Sequence, residues 1–255
     1  MIKEIKISDP ITYEGQPDGE KVPMIDPYDG CQLNCPYCWQ LSNQDWNKSI
    51  FVNTNIADLL KNRLNLWNKE DEIYLGSRCD PYMPIEEKYG LTRKCLQVLN
   101  ELEINTMITT KSDNNLIFRD VDILKNFSAE MTVLMGMTNI NQIGKGINND
   151  NILTANKLFD NCVSTWAFIT PILPYIMDID AIIAALNPGI PVFLDKLRIK
   201  SDTVQAENMM RFIKRDFPEY TKQYDEIING NDELYYTELI DKYADDSRIK
   251  ILFSD

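Results

Sequence analysis

Residues 29–39 read Asp29-Gly30-Cys31-Gln32-Leu33-Asn34-Cys35-Pro36-Tyr37-Cys38-Trp39. Three of the chain's six cysteines fall here, spaced C-x3-C-x2-C. Thiolates are soft ligands, and a loop this short can aim three of them at one face of an iron–sulfur cluster. A [4Fe–4S] cluster held by protein alone takes four cysteines, and no fourth stands nearby. Three ligands leave one iron open to a small molecule. A structural zinc site would want a fourth Cys or His. The chain has no histidine, and Cys79, Cys95 and Cys162 stand apart. Pro36 fixes φ and lacks an N–H, which suits a ligand loop. Tyr37 supplies an aromatic face beside the third cysteine.

On the N-terminal side, Val22-Pro23-Met24-Ile25-Asp26 predicts a short strand feeding the loop. Residues 1–21, broken by Gly15, Pro17 and Gly19, predict a lead-in without regular structure. On the C-terminal side, strands and helices alternate. The pattern predicts a helix over 56–64 and a strand over 71–77, then a helix over 91–103 and a strand over 104–110. A helix near 120–127 leads to a strand over 131–137, and a helix over 152–159 to a strand over 163–169. A helix over 179–186 and a strand over 191–194 complete the series. Alternating βα units imply an α/β fold with parallel strands. About six units fit before residue 200, against eight in a closed barrel. The expectation is a partial (β/α)6 TIM-like barrel over 22–203. Residues 204–255, with charged helices over 204–215, 220–228 and 233–243 and a strand over 248–253, read as a helical C-terminal extension of the same domain. Catalytic groups of such folds sit at the C-terminal ends of the strands, where the cysteine loop falls.

The bulk composition bounds the function. At 255 residues, 44% hydrophobic and 25% charged, the chain is ordinary for a globular protein. It opens without a signal peptide, and no apolar run is long enough to span a membrane. Cysteines without close pairing outside the loop suit a reducing compartment, so a cytoplasmic location is expected. A net charge of −13 weighs against a nucleic-acid substrate. With no His, proton transfer falls to Asp, Glu, Lys, Tyr or Cys.

The cysteine loop resembles the cluster-binding motif of the radical S-adenosylmethionine (SAM) superfamily. Further segments are similar to its spore photoproduct lyase-like branch. These are Asp80-Pro81-Tyr82-x-Pro84-x-Glu86, Leu91-Thr92-Arg93, Ile108-Thr109-Thr110-Lys111-Ser112, Arg119-Asp120, and Pro171-Ile172-Leu173-Pro174 with Asp178. The resemblance runs from about residue 24 to 199. It implies a [4Fe–4S] cluster on Cys31, Cys35 and Cys38, with SAM on the open iron. Reductive cleavage of SAM would give methionine and a 5′-deoxyadenosyl radical that abstracts hydrogen from a substrate. It further implies that Gly76 and Ser77 hold the methionine amino group, that Lys111 meets the SAM carboxylate, and that Tyr37 packs near the adenine. Cys79 is a candidate hydrogen-atom donor, or else a small loop residue without a role. Arg93, Arg119 and Asp120 read as structural ion pairs.

The sequence departs from the branch at the fourth strand's end. There the usual Ser, Glu-Pro and Arg are replaced by Met135-Gly136-Met137-Thr138-Asn139 and the run 142–151. Thr138 or Asn139 would then make the ribose contact. The expected partner is a one-electron donor such as a flavodoxin or ferredoxin. Three readings follow: a radical SAM enzyme of unidentified substrate, a spore photoproduct lyase-like DNA repair lyase, and a non-catalytic iron–sulfur or zinc module.

Overall fold

The computed structural model describes residues 1–15, 21–43, 46–138, 150–230 and 233–253. Contacts divide the chain into two units. The first comprises Met1–Leu33, Asp45–Met135 and Lys157–Thr165; the second comprises Asn34–Gln44, Gly136–Asn156 and Trp166–Asp255.

In the larger sheet of the first unit, Thr12–Gly15 runs antiparallel to Lys21–Ile25, and the pairings that follow in that sheet are parallel. Lys21–Ile25 pairs with Ile73–Leu75, which pairs with Thr106–Thr110, which pairs with Met131–Gly136. Parallel neighbours need crossovers, and helices such as Leu91–Glu101 and Val121–Leu124 supply them. The strands bury apolar residues in the covered positions: Ile25, Ile73, Leu75, Ile108 and Val133 are all fully buried. The helix Leu91–Glu101 buries Leu91, Thr92, Cys95, Leu96 and Leu99, a helical stripe. Each such leucine contributes about 1.5–3 kcal/mol through removal from water. The following strand starts at Thr106 rather than 104, because Glu103 turns at φ 55 and Ile104 N–H still bonds Leu99 O at 3.0 Å.

The predicted lead-in is corrected in part. Ile2–Ile5 is a strand, paired in parallel with Ile50–Asn53, which also runs antiparallel to Tyr28–Asp29. Thr12–Gly15 is a strand too, while Pro17 and Gly19 lie outside the described residues. The N-terminal strand buries little of itself, so its sequence lacks the apolar run that marks the covered strands.

In the second unit, residues 167–169 pair in parallel with Val192–Leu194, which pairs in parallel with Ile249–Ile251. Asp178 Oδ1 caps the helix Ile179–Ala185 by accepting from Ala181 N–H at 2.9 Å. Thr203 Oγ1 caps Val204–Asp216 through Ala206 N–H at 3.1 Å. This helix and Thr221–Ile228 build a core from Met209, Phe212, Ile213, Tyr224 and Ile227, which also encloses Tyr37 and Leu173. The chain is thus a mixed α/β protein with mostly parallel strand pairs, and within the second unit the C-terminal helices share a core with Cys35 and Tyr37. Among the described residues, no helix is long and apolar enough to cross a membrane.

Candidate functional site

Parallel strands present their C-terminal ends along one edge. In the first unit three ends carry the residues in question: Asp26 after Lys21–Ile25, Gly76 after Ile73–Leu75, and Lys111 after Thr106–Thr110. Gly76 turns at φ 79, and its N–H bonds Ile25 O at 2.9 Å. A Cβ there would stand 2.4 Å from Pro81 Cδ, so glycine is required. Ser77 is exposed and Lys111 half-buried.

Two carboxylates fasten this loop. Asp26 Oδ1 accepts from the N–H groups of Arg78 at 3.2 Å and Cys79 at 3.4 Å. Its Oδ2 is sealed from solvent without a hydrogen-bond partner. Burial raises the Asp26 pKa from 3.8 to about 6, against the lowering effect of those two amides. Asp80, also buried, accepts from Thr110, Lys111, Ser112 and Tyr82. Cys79 is 3% exposed; its thiol donates to Tyr28 O at 3.1 Å and lies 3.6 Å from Asp26 Oδ1. Burial, then the charges of Asp26 and Cys31, push its pKa well up, so the thiol is protonated.

Behind the loop lies a charge network. Glu86 is fully buried and accepts from Arg119 at 2.6 Å, Tyr28 OH at 2.5 Å and Thr92 N–H at 3.0 Å. Asp120, equally buried, accepts from Arg93 at 2.8 Å, Arg119 at 3.0 Å and Tyr82 OH at 3.2 Å. Arg93, Arg119 and Asp120 are therefore structural ion pairs. Tyr28 and Tyr82 are core residues whose hydroxyls serve this network.

The cysteine loop spans the two units by its numbering: Cys31 belongs to the first, Cys35 and Cys38 to the second. All three are half-buried. In the first unit, Gly30 at φ 100 brings Cys31 N–H to Trp46 O at 3.2 Å. In the second, Asn34 at φ 54 precedes a turn closed by Cys38 N–H to Cys35 O at 3.1 Å. Tyr37 is fixed at both ends. Its hydroxyl donates to the Thr138 carbonyl, and its own carbonyl accepts from Gln205 Nε2 at 2.5 Å. Thr138 is fully buried, and its hydroxyl donates to Pro171 O at 2.7 Å.

Among the described residues, no three Cys, Asp or Glu side chains are grouped as metal ligands. The fit of Cys31, Cys35 and Cys38 to a cluster rests on other features. These are a set of soft thiol donors, backbone turns that only Gly30 and an Asn tolerate well, and partial burial. Asn139 and most of the run 142–151, where the sequence departs from the branch, lie outside the described residues. Cys95 is buried in the core, and Cys162 is exposed.

Sequence reasoning missed Asp26, the anchoring role of Asp80, and Gln205. An acidic residue closing an apolar strand was a usable signal for Asp26. Gln205 had none, since its partner is 168 residues away.

The fold is similar to that of solved proteins, two of which were captured with SAM bound. One variant of spore photoproduct lyase superposes with a TM-score of 0.59 at 14% identity, covering 85% of this chain and 66% of that one. Another, with bound AdoMet and dinucleoside spore photoproduct, gives 0.57 at 12% identity over 86% of this chain and 77% of that one. SuiB of Streptococcus suis, bound to SAM, gives 0.51 at 16% identity over 89% and 49%. The chain thus spans just under two-thirds of the first lyase structure and about half of SuiB. In sequence, an uncharacterized protein of Methanocaldococcus jannaschii is 29% identical, with 89% of this chain and 92% of that protein aligned. No family model matches the chain.

Proposed function

We propose that this chain is a radical SAM enzyme. The observation that carries the reading is the C-x3-C-x2-C loop placed after the first parallel strand of a fold shared with SAM-bound proteins. In the finer reading, 22–203 forms a partial (β/α)6 barrel, and 204–255 extends the same domain. Cys31, Cys35 and Cys38 hold a [4Fe–4S] cluster. Bound there, the reduced cluster would supply the electron that cleaves SAM to methionine and a 5′-deoxyadenosyl radical.

The chain's own residues then bind and orient SAM. Gly76, in the left-handed turn that packs on Pro81, offers its backbone to the methionine amino group, and exposed Ser77 adds a hydroxyl. Lys111 offers its ammonium to the carboxylate. Tyr37, held by Gln205 and by the Thr138 carbonyl, presents its ring toward the adenine, and Thr138 lies near the ribose. Cys79, kept as a neutral thiol, is in the form that donates a hydrogen atom. A one-electron donor such as a flavodoxin or ferredoxin serves the enzyme in the cytoplasm.

The substrate stays open. The lyase solved with a dinucleoside photoproduct favours DNA lesion repair as the second reading, whereas the net charge of −13 weighs against a phosphate backbone. A non-catalytic metal module has less support, because it leaves the likeness to SAM-bound folds without a role. Anaerobic reconstitution of the Cys31→Ala, Cys35→Ala and Cys38→Ala variants tests the ligand set. Each is expected to lose the cluster's iron and its absorbance, and wild-type iron content in any one would remove that residue from the set.

A further inference from the structure

We infer that Asp80 is a positioning residue, which fixes the third strand's end so that Lys111 is aimed at the carboxylate of SAM. The inference rests on the radical SAM reading and deepens it.

Asp80 follows the Gly76–Ser77 loop by sequence, yet its carboxylate is spent on another strand. Thr110 Oγ1 donates to Oδ1 at 2.9 Å and lies 3.1 Å from Oδ2. Lys111 N–H donates to Oδ2 at 2.6 Å, and Ser112 Oγ donates to Oδ1 at 2.7 Å. Tyr82 N–H, from Asp80's own loop, donates to Oδ1 at 2.9 Å. Ser112 N–H returns to Thr110 Oγ1 at 3.1 Å. Three consecutive residues, 110–112, are thus tied to one carboxylate. The middle one is bound through its backbone, so the direction of the Lys111 side chain is set from its root.

This differs from the two other buried carboxylates of the unit. Glu86 and Asp120 meet guanidinium groups, and their removal would strand a charge. The described bonds to Asp80 come from hydroxyls and backbone amides, which are directional and hold geometry rather than balance charge. Burial raises the Asp80 pKa, and the bonds from Lys111, Ser112, Tyr82 and Thr110 oppose that rise. A group that orients a binding lysine changes affinity for the ligand, as positioning does generally.

The test compares reconstituted wild-type enzyme with Asp80→Asn and with Thr110→Val, a near-isosteric change that leaves Asp80 in place. SAM affinity is measured by titration calorimetry, KM and kcat by 5′-deoxyadenosine formation, and iron content in parallel. Amide hydrogen exchange at 110–112 is followed in the unloaded chain. Asp80→Asn is expected to weaken SAM binding and raise its KM about tenfold, the value of one hydrogen bond to a charged group, with wild-type iron content. Thr110→Val is expected to weaken SAM binding about threefold. Both should speed exchange at Lys111 and Ser112. Wild-type SAM affinity in Thr110→Val, or in a folded Asp80→Asn, alongside faster exchange would overturn the inference, since Asp80 would then stabilise the loop without serving the ligand. A wild-type enzyme that takes up iron yet binds no SAM would instead fail the radical SAM reading; wild-type binding with unaffected variants fails only the inference.

Discussion

Replacing Asp26 with Asn should stabilise the protein at neutral pH. Asp26 closes the first parallel strand, and although the residue as a whole is half-buried, its Oδ2 is sealed from solvent and has no hydrogen-bond partner. Desolvation is the largest influence on it and lifts its pKa from 3.8 to about 6. The folded value is raised, so the stability it contributes is complete below 3.8 and is lost as pH rises through about 6. At about 1.4 kcal/mol per unit, the ionised carboxylate costs on the order of 3 kcal/mol. Asn keeps an acceptor for the Arg78 and Cys79 amides and removes the charge. Urea unfolding of the unloaded chain should show Asp26→Asn more stable than wild type by about 3 kcal/mol at pH 8, narrowing to about half that at pH 5. A variant less stable than wild type at pH 8 would refute the reasoning, because the bonds to Arg78 and Cys79 would then outweigh desolvation.

Two other substitutions probe the cysteine loop. Gly30→Ala would set a Cβ 2.3 Å from Ser49 O and 2.9 Å from Trp46 O at φ +100. It should cost about 2 kcal/mol or more in thermal stability and lower iron uptake, and a wild-type melting point would show that the loop yields. Gln205→Ala removes the donor to Tyr37 O and should cost about 1 kcal/mol. Reconstituted Gln205→Ala should also lose cluster absorbance in air faster than wild type; an unchanged rate would separate Gln205 from the loop.

The parts of the fold legible in the sequence are those whose signal is local. Met131–Gly136 is covered on both faces and reads as an apolar run. Helices such as Glu233–Tyr243 keep their apolar residues at helical spacing, and Val204–Asp216 adds a Thr cap. The cysteine loop stands out in the sequence because three thiols fall within eight residues. Strands set by a distant partner were not. Ile2–Ile5 exists because Ile50–Asn53 lies beside it, and its own residues are mostly exposed. The same limit hid the anchors of the site. Asp26 reaches Arg78 across 52 positions, Asp80 reaches Lys111 across 31, and Glu86 reaches Tyr28 across 58. In sequence these are unremarkable acids. Only the fold brings these acids to their partners. Thr138 or Asn139 was read as the ribose contact; the Thr138 hydroxyl donates to Pro171 O, and its carbonyl accepts from the Tyr37 hydroxyl.

The most direct test of the central claim is 5′-deoxyadenosine formation by the anaerobically reconstituted chain given SAM and dithionite. The account predicts a brown protein with [4Fe–4S] absorbance that releases 5′-deoxyadenosine and methionine, with both products absent from the Cys35→Ala variant. A protein that retains zinc, takes up no iron and leaves SAM intact would contradict it.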